Sequence, residues 1–414
     1  MHALPAIIKD DIQMNGKFTL TTLLFFAQTL TFGQNNLYLK IDSLILSKMT
    51  DNRIIGLSIG IVKDGKTFYT KGYGYTSPDS LYKVTENTVF HTASISKVFT
   101  ASAIMQFVER GEIKLSDNLT DHIPDFKMKD KRYHEITIEH LLTHSSGLPW
   151  EHNFKNSPND STALELFVAD LKNEKLQFNP GEKFDGSTYS NVGYSILGLI
   201  IQRKSGIAFE KYIQKYILEP NGMTNCYFNH KLIKPEIKAE PIILSGNSKE
   251  IERFNLYGEI KDKNPVLKYP NNPLLISDTY GRTIEHAPND GLISSARDLS
   301  NWMMQLMKIY KNTDSTALTF ISTRTLKDMW SLKRSITNKQ TSIGLGWWRY
   351  DDAETGNYVF HVGSEPGFCS TSIIFPEKNI GIIILCNGMY ANQVVWNELP
   401  NLILELINEK NNSR

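Results

Sequence analysis

Strand-like segments lie at the two ends of this 414-residue chain, and helix-like segments fill the stretch between them. Ile54 to Val62 and Thr67 to Tyr75 are apolar-rich runs joined by Lys63-Asp64-Gly65-Lys66, and Asp-Gly between such runs marks a tight hairpin. Extended character returns at Tyr358 and continues through His361, Ser372 to Phe375 and Ile380 to Leu385, before a last helix that starts at Gln393 and contains Pro400. Between these ends, apolar spacing predicts helices over Ser94 to Arg110 (stopped by Gly111), Ile138 to His144, Ala163 to Leu171, Asn191 to Lys204 and Glu210 to Leu218. Leu37 to Met49 forms a further helix near the start, and residues 230 to 290, polar and Pro-interrupted, read as a long irregular excursion.

Strands at both termini imply that the two ends meet in one sheet. The expected fold is α/β: an antiparallel sheet flanked by helices, built from both chain ends, with a mainly helical domain inserted between them. In residue terms, one unit covers about 34–414, its α/β part is about 34–110 and 290–414, and its helical part is about 111–289. Neither an internal repeat nor a low-complexity tract is visible.

Residues 1–33 read as a leader. Lys17 precedes the apolar run Phe18 to Ala27, and Thr29, Thr31 and Gly33 follow it, the pattern of a secretory signal peptide over about 14–33 with cleavage near Gly33. Its natural start is Met14, because Asp10 and Asp11 do not suit a positively charged leader. The run falls short of the roughly 20 apolar residues that a membrane span needs, so no stable membrane anchor is expected. The protein is expected to be exported, periplasmic or extracellular. Three cysteines, Cys226, Cys369 and Cys386, allow at most one bridge within the chain. A hairpin pairing Phe375 with Ile380 across Pro376-Glu377-Lys378-Asn379 would set Cys369 opposite Cys386, as a cross-strand disulfide or, the preferred reading, as two buried thiols.

With 45 Lys+Arg against 44 Asp+Glu and no long basic run, nothing in the chain is built to neutralise a phosphate backbone. No nucleic-acid partner is expected, and the substrate is a small molecule or a peptide. Oligomeric state is left open.

Several motifs compete for the chemistry. Gly56-Leu57-Ser58-Ile59-Gly60 matches the G-x-S-x-G nucleophile elbow but sits inside an apolar strand rather than at a strand-to-helix turn, so it reads as strand. His134-Glu135 fails H-E-x-x-H because Ile138 occupies the second His position, and His140 with His144 lacks a third ligand. These are read as structural histidines, with no metal site. S-x-x-K occurs in a polar loop as Ser80-Leu81-Tyr82-Lys83, and at the opening of an apolar helix as Ser94-Ile95-Ser96-Lys97. On a helix, residues three apart share a face, which brings a lysine amine beside a serine hydroxyl that needs a base to become a nucleophile. Spacing alone leaves open a helix end that merely faces solvent.

Order and surroundings decide between these readings. Ser94-Ile95-Ser96-Lys97, then Tyr189-Ser190-Asn191, then His361-Val362-Gly363 resemble the three motifs of the penicillin-binding-protein-like serine hydrolases, the family of class C β-lactamases, D-aminopeptidases and related esterases. The resemblance extends to His91-Thr92-Ala93, the run Ile138 to Pro149, Pro180-Gly181-Glu182-Lys183-Phe184, Gly291 to Leu299, and Gly344-Leu345-Gly346-Trp347. It implies a serine β-lactamase/transpeptidase-like fold, with Ser94 as the acylated nucleophile, Lys97 as its base and Tyr189 as proton relay to the leaving group. Asn191 would orient Lys97 or the substrate amide, and His361, Gly363 and Ser364 would line the substrate strand. Backbone N–H groups of Ser94 and Ser364 would form the oxyanion hole. The implied reaction is hydrolysis of an amide, peptide or ester through an acyl-Ser94 intermediate, with no metal or organic cofactor. The alternative is a weak or inactive cell-wall-peptide-binding module on the same fold.

Two departures shape the expectation. His361 stands where β-lactamases and transpeptidases carry Lys, so a fixed cation for a substrate carboxylate is absent unless the imidazole is protonated. Asp290 stands where relatives often have Gly, and is expected to be a solvated loop residue.

Overall fold

The computed structural model describes residues 36–78, 82–154, 157–158, 160–244, 267–269, 272–276, 284–311, 320–336, 339–353 and 356–412. The expected leader at 14–33 and the serine of Ser80-Leu81-Tyr82-Lys83 lie outside them. The chain divides into two compact units: the described parts of Met1–Ser47 and Leu402–Arg414, and Lys48–Asn401. In the first, residues from helix α1 (36–51) and the C-terminal helix α11 (Leu399–Asn412) bury Ile41, Ile45, Ile403 and Ile407, and Lys40 lies 3.7 Å from Glu409. Among the described residues no helix is long and apolar enough to cross a membrane.

The second unit is organised by an eight-stranded antiparallel sheet. Its members are β1 (Gly56–Lys63), β2 (Lys66–Gly74), β9 (Arg334–Ser335), β10 (Thr341–Ile343), β11 (Trp348–Tyr350), β12 (Tyr358–Glu365), β13 (Phe368–Phe375) and β14 (Ile380–Cys386), in the order β2-β1-β14-β13-β12-β11-β10-β9. The hairpin from the front of the chain thus pairs with the strand nearest its end, as the terminal strands require. Phe375 pairs with Ile380 and Cys369 with Cys386, and both cysteines are buried thiols with no disulfide between them.

Helix α9 (Ala296–Lys311) covers this sheet at a distance only glycine permits. A Cβ at Gly60 would lie 2.0 Å from Ser300 Oγ, and one at Gly381 would lie 1.9 Å from Met303 Sδ. Gly60 therefore belongs to packing, and the G-x-S-x-G stretch is strand β1, with Ser58 wholly buried and its hydroxyl donating to Thr85 O at 3.2 Å.

The helix carrying Lys97, α2 (Ser96–Glu109), is buried from Ser96 to Phe107. An aromatic stack holds it: Phe99 lies 4.3 Å from Trp302 of α9, and Trp302 lies 5.6 Å from Trp347, all three at or below 1% exposed. The helices expected between the chain ends are present as α4 (Ile138–Leu142), α5 (Ala163–Asp170), α6 (Asn191–Ser205) and α7 (Phe209–Ile213), with α3 (Leu119–His122) before them and a wider turn over Gln214–Leu218 completing the last. Two short helices, α8 (Ala287–Asp290) and α10 (Thr323–Met329), complete the set used here. The excursion is less irregular than its composition suggests: β5 (Ile242–Leu244), β6 (Leu267–Tyr269) and β7 (Asn272–Ile276) form a small sheet in the order β5-β7-β6. A further sheet joins β3 (Val89–His91), β8 (Ile293–Ser295) and β4 (Cys226–Tyr227) and leads into the Ser94 turn.

Candidate active site

Ser94 sits in a tight 3-10 turn, Ala93–Ile95, that precedes α2 rather than in the α-helix itself. Ala93 has φ +48°, a left-handed conformation that costs an L-residue with a side chain free energy and that persists only where the surroundings impose it. Those surroundings are polar. Thr92 N and Oγ1 both donate to Leu292 O at 2.9 and 2.8 Å, Ser96 Oγ donates to Ala93 O at 2.7 Å, and Leu292 N donates to Ser96 Oγ at 2.9 Å. Ser370 Oγ donates to Thr92 O at 2.8 Å, and the buried His91–Glu365 pair ties the strand entering the turn to the end of β12.

Lys97 is 0% exposed, and its Nζ donates to Ser94 Oγ at 3.1 Å and to Asn289 O at 2.7 Å. The faces of Tyr189 and Tyr194 lie 4.9 and 5.6 Å from that nitrogen. Tyr189, half-buried, packs against His144 with ring centroids 4.1 Å apart and the planes tilted by 31°. Tyr194 is fully buried, its hydroxyl donates to Leu142 O at 3.0 Å, and burial, with Tyr189 nearby, holds its pKa well above 10.

Two buried imidazoles flank the amine. His144 Nδ1 accepts from Ser190 N at 3.1 Å, so its proton is on Nε2. Burial, then the nearby Lys97 and His361, keep its pKa well below 6.5. In His361, burial and then Lys97 lower the pKa to about 3. Its Nδ1 faces Val362 O at 2.9 Å and therefore carries the proton. Both rings are neutral at pH 7, so His361 supplies no cation there.

Gly363 brings β12 onto the nucleophile turn: a Cβ at this position would lie 2.2 Å from Thr92 O, 2.3 Å from Ser370 Oγ and 3.1 Å from Ala93 Cβ. Ser364 follows it in β12, opposite Cys369, and the Gly363 carbonyl accepts from Trp396 Nε1 at 3.2 Å.

The three motifs thus converge around one buried amine. Asn191 is the exception in detail, because its Nδ2 donates to Glu151 Oε1 at 2.5 Å and no hydrogen bond joins its Oδ1 to Lys97. Asp290 differs from the solvated residue expected: it closes α8 at 2% exposed, next to the Asn289 carbonyl that holds Lys97. His140 accepts from Thr137 N at 3.3 Å, which makes it a helix-capping histidine. Glu151, Asn289 and Glu365 were absent from the sequence reading of the site, His91 entered it without a role and His144 was read as structural, although the run Ile138 to Pro149 ends two residues before Glu151.

The comparisons agree with this geometry. A family model described as Beta-lactamase matches residues 41–404. Protein flp of Staphylococcus aureus (strain MRSA252) is 29% identical over 381 residues, covering 90% of this chain and 66% of that protein. Penicillin-binding protein 4* of Bacillus subtilis (strain 168) is 28% identical over 331 residues, covering 78% of this chain and 66% of that protein. The chain thus spans about two thirds of the length of these relatives. The solved structure of the octameric penicillin-binding protein homologue from Pyrococcus abyssi superposes with a TM-score of 0.68 at 28% identity, over 85% of this chain and 73% of that one. A family match over nearly all of the described chain, with the serine, lysine and tyrosine of its motifs drawn together at one buried amine, makes this chain a member of the beta-lactamase family of penicillin-binding-protein-like serine hydrolases.

Proposed function

We infer that the protein is an exported serine hydrolase that transfers the acyl group of an amide, peptide or ester to water through Ser94. The observation that carries this reading is the 3.1 Å contact between Ser94 Oγ and the fully buried Lys97 amine, with Tyr189 over the same nitrogen. A lysine accepts a serine proton in its unprotonated form. The Asn289 carbonyl holds the amine in place while Ser94 Oγ bonds to the substrate carbonyl carbon and its proton passes to Lys97. The proton then reaches the leaving group by way of Tyr189, and water repeats the sequence on the acyl-enzyme. The strained Ala93 and the close approach of Gly363 support placing the Ser94 and Ser364 N–H groups at the oxyanion.

The neutral His361 argues for esters, amides or peptides over β-lactams, whose carboxylate has no fixed cation to meet at that position. The test is intact-mass analysis after brief exposure to an activated ester, a penicillin and a D-alanyl peptide, with Ser94→Ala alongside. A transient adduct with released product, absent from Ser94→Ala and with turnover lower by at least about 10³-fold, is the expected result. A stable adduct without turnover would instead support the binding-module alternative.

A further inference from the structure

Helix α4 ends at a position where glycine is the usual residue. Ser145 N donates to His140 O at 2.9 Å and His144 N to Leu141 O at 3.4 Å, the paired bonds of a Schellman stop, and His144 holds its left-handed position with φ +53°. Glycine adopts that conformation freely, whereas a residue with a Cβ is disfavoured there. His144 carries a second cost: it is 1% exposed, and its Nε2–H is buried with no hydrogen-bond partner. Two unfavourable features on one residue point to something that its ring does.

What the ring touches is the second motif. Its Nδ1 accepts from Ser190 N at 3.1 Å, and its centroid lies 4.1 Å from that of Tyr189, whose own ring lies 4.9 Å from the Lys97 amine. Ser190 is the N-cap of α6, and its hydroxyl donates to Pro149 O at 2.8 Å and accepts from Gly193 N at 3.1 Å. Tyr189 stands one residue outside that helix. His144 therefore grips the relay residue twice, by the face of its ring and by the backbone N–H that follows it.

We propose that His144 is a positioning residue for the proton relay, setting the Tyr189 phenol on the path from Lys97 to the leaving group. This rests on the acyl-Ser94 reading above and deepens it. Ser94 Oγ bonds to the acyl carbon and its proton goes to Lys97. The bond from the acyl carbon to the leaving oxygen then breaks as Tyr189 gives its phenolic proton to that oxygen and regains one from Lys97. His144 acts through Tyr189, and neither gives nor takes a proton.

The test uses the purified full chain and two esters with one acyl group, phenyl propionate, whose phenoxide needs the relayed proton, and 4-nitrophenyl propionate, whose nitrophenoxide leaves without it. The readout is the ratio of kcat/KM for the phenyl ester to that for the nitrophenyl ester, with Ser94 acylation followed by mass. Tyr189→Phe is expected to lower this ratio by about 10²-fold, the scale of a lost general acid. His144→Asn is expected to lower it by about tenfold, and the double variant to go no lower than Tyr189→Phe alone, because His144 works only through that phenol. His144→Gly, which suits the helix stop, serves as the second variant that removes the ring, and urea unfolding checks that each variant folds. A residue that merely supports the fold would lower both esters together. An unchanged ratio in the folded His144 variants, or a double variant well below Tyr189→Phe, overturns this inference alone. A wild-type ratio no higher than that of Tyr189→Phe removes the relay and this inference with it. If neither ester acylates Ser94, the serine-hydrolase reading itself falls.

Discussion

Two serine-bearing regions of this molecule look alike in sequence and differ in almost every physical respect. In β1, Ser58 lies in regular extended backbone, wholly buried, its hydroxyl donating to a backbone carbonyl. In the turn before α2, Ser94 is part-exposed, follows a left-handed Ala93, and meets an amine instead of a carbonyl. Each region has a glycine at which a strand is closely approached, Gly60 by helix α9 and Gly363 by the nucleophile turn. The difference teaches that a serine becomes chemically useful through what is built against it, and that strain and a buried base, more than the local motif, mark the functional one.

Apart from removal of the nucleophile itself, the largest effect should come from Gly363→Ala. The new methyl group would meet Thr92 O and Ser370 Oγ well inside contact distance, so β12 must move off the turn that presents Ser94. Displacing one oxyanion donor is expected to lower kcat by about 10²- to 10³-fold. Pre-steady-state acylation rates would show it, and a rate within threefold of wild type would break the contrast drawn between the two glycines.

Much of this arrangement was legible beforehand because it is written in residue type and order. Ser94, Lys97, Tyr189 and His361, which the structure brings together, were named from the order of three short motifs that resemble a family's, and the hairpin register that sets Cys369 opposite Cys386 followed from the length of the turn. Other parts left no such mark. Strands of two or three residues such as β9 to β11 are too short for a period to show, and the small sheet within the excursion is hidden by its Pro-rich, polar sequence. Asn289 acts through its carbonyl, which every residue has. His144 reaches Tyr189 by a ring contact across 45 positions of sequence, a contact with no local signature. The left-handed Ala93 is a tertiary imposition that its own propensity opposes.

A second, smaller effect sharpens the comparison through pH, since ionisable rings surround Ser94 and not Ser58. His361 has a folded pKa lowered from 6.5 to about 3, so between those values the unfolded chain binds a proton that the folded one refuses. Stability is therefore fully present above about pH 6.5 and lost progressively as pH falls toward 3, by about 2–3 kcal/mol at pH 4.5 from this residue. His144, shifted in the same direction, adds to the loss. Urea unfolding at pH 7 and 4.5 should show a smaller loss in His361→Gln than in wild type. Equal losses would mean that the ring is not held neutral by the fold.

The smallest effect is predicted for Ser58→Ala, and it is the sharpest test of the contrast because the substitution sits in the better match to a named catalytic motif. Ser58 Oγ makes one hydrogen bond, to Thr85 O at 3.2 Å, in a strand held by register on both sides. Removing the hydroxyl forfeits that part-buried bond, a cost of about 1 kcal/mol or less in unfolding free energy. Neither Lys97 nor Tyr189 touches this strand through any hydrogen bond or ring contact described above, so kcat/KM on an activated ester should stay within twofold of wild type. The same measurement on Ser94→Ala supplies the opposite extreme. If Ser58→Ala instead abolished acylation while unfolding normally, the nucleophile would lie in β1, and the strained turn before α2 would need another explanation.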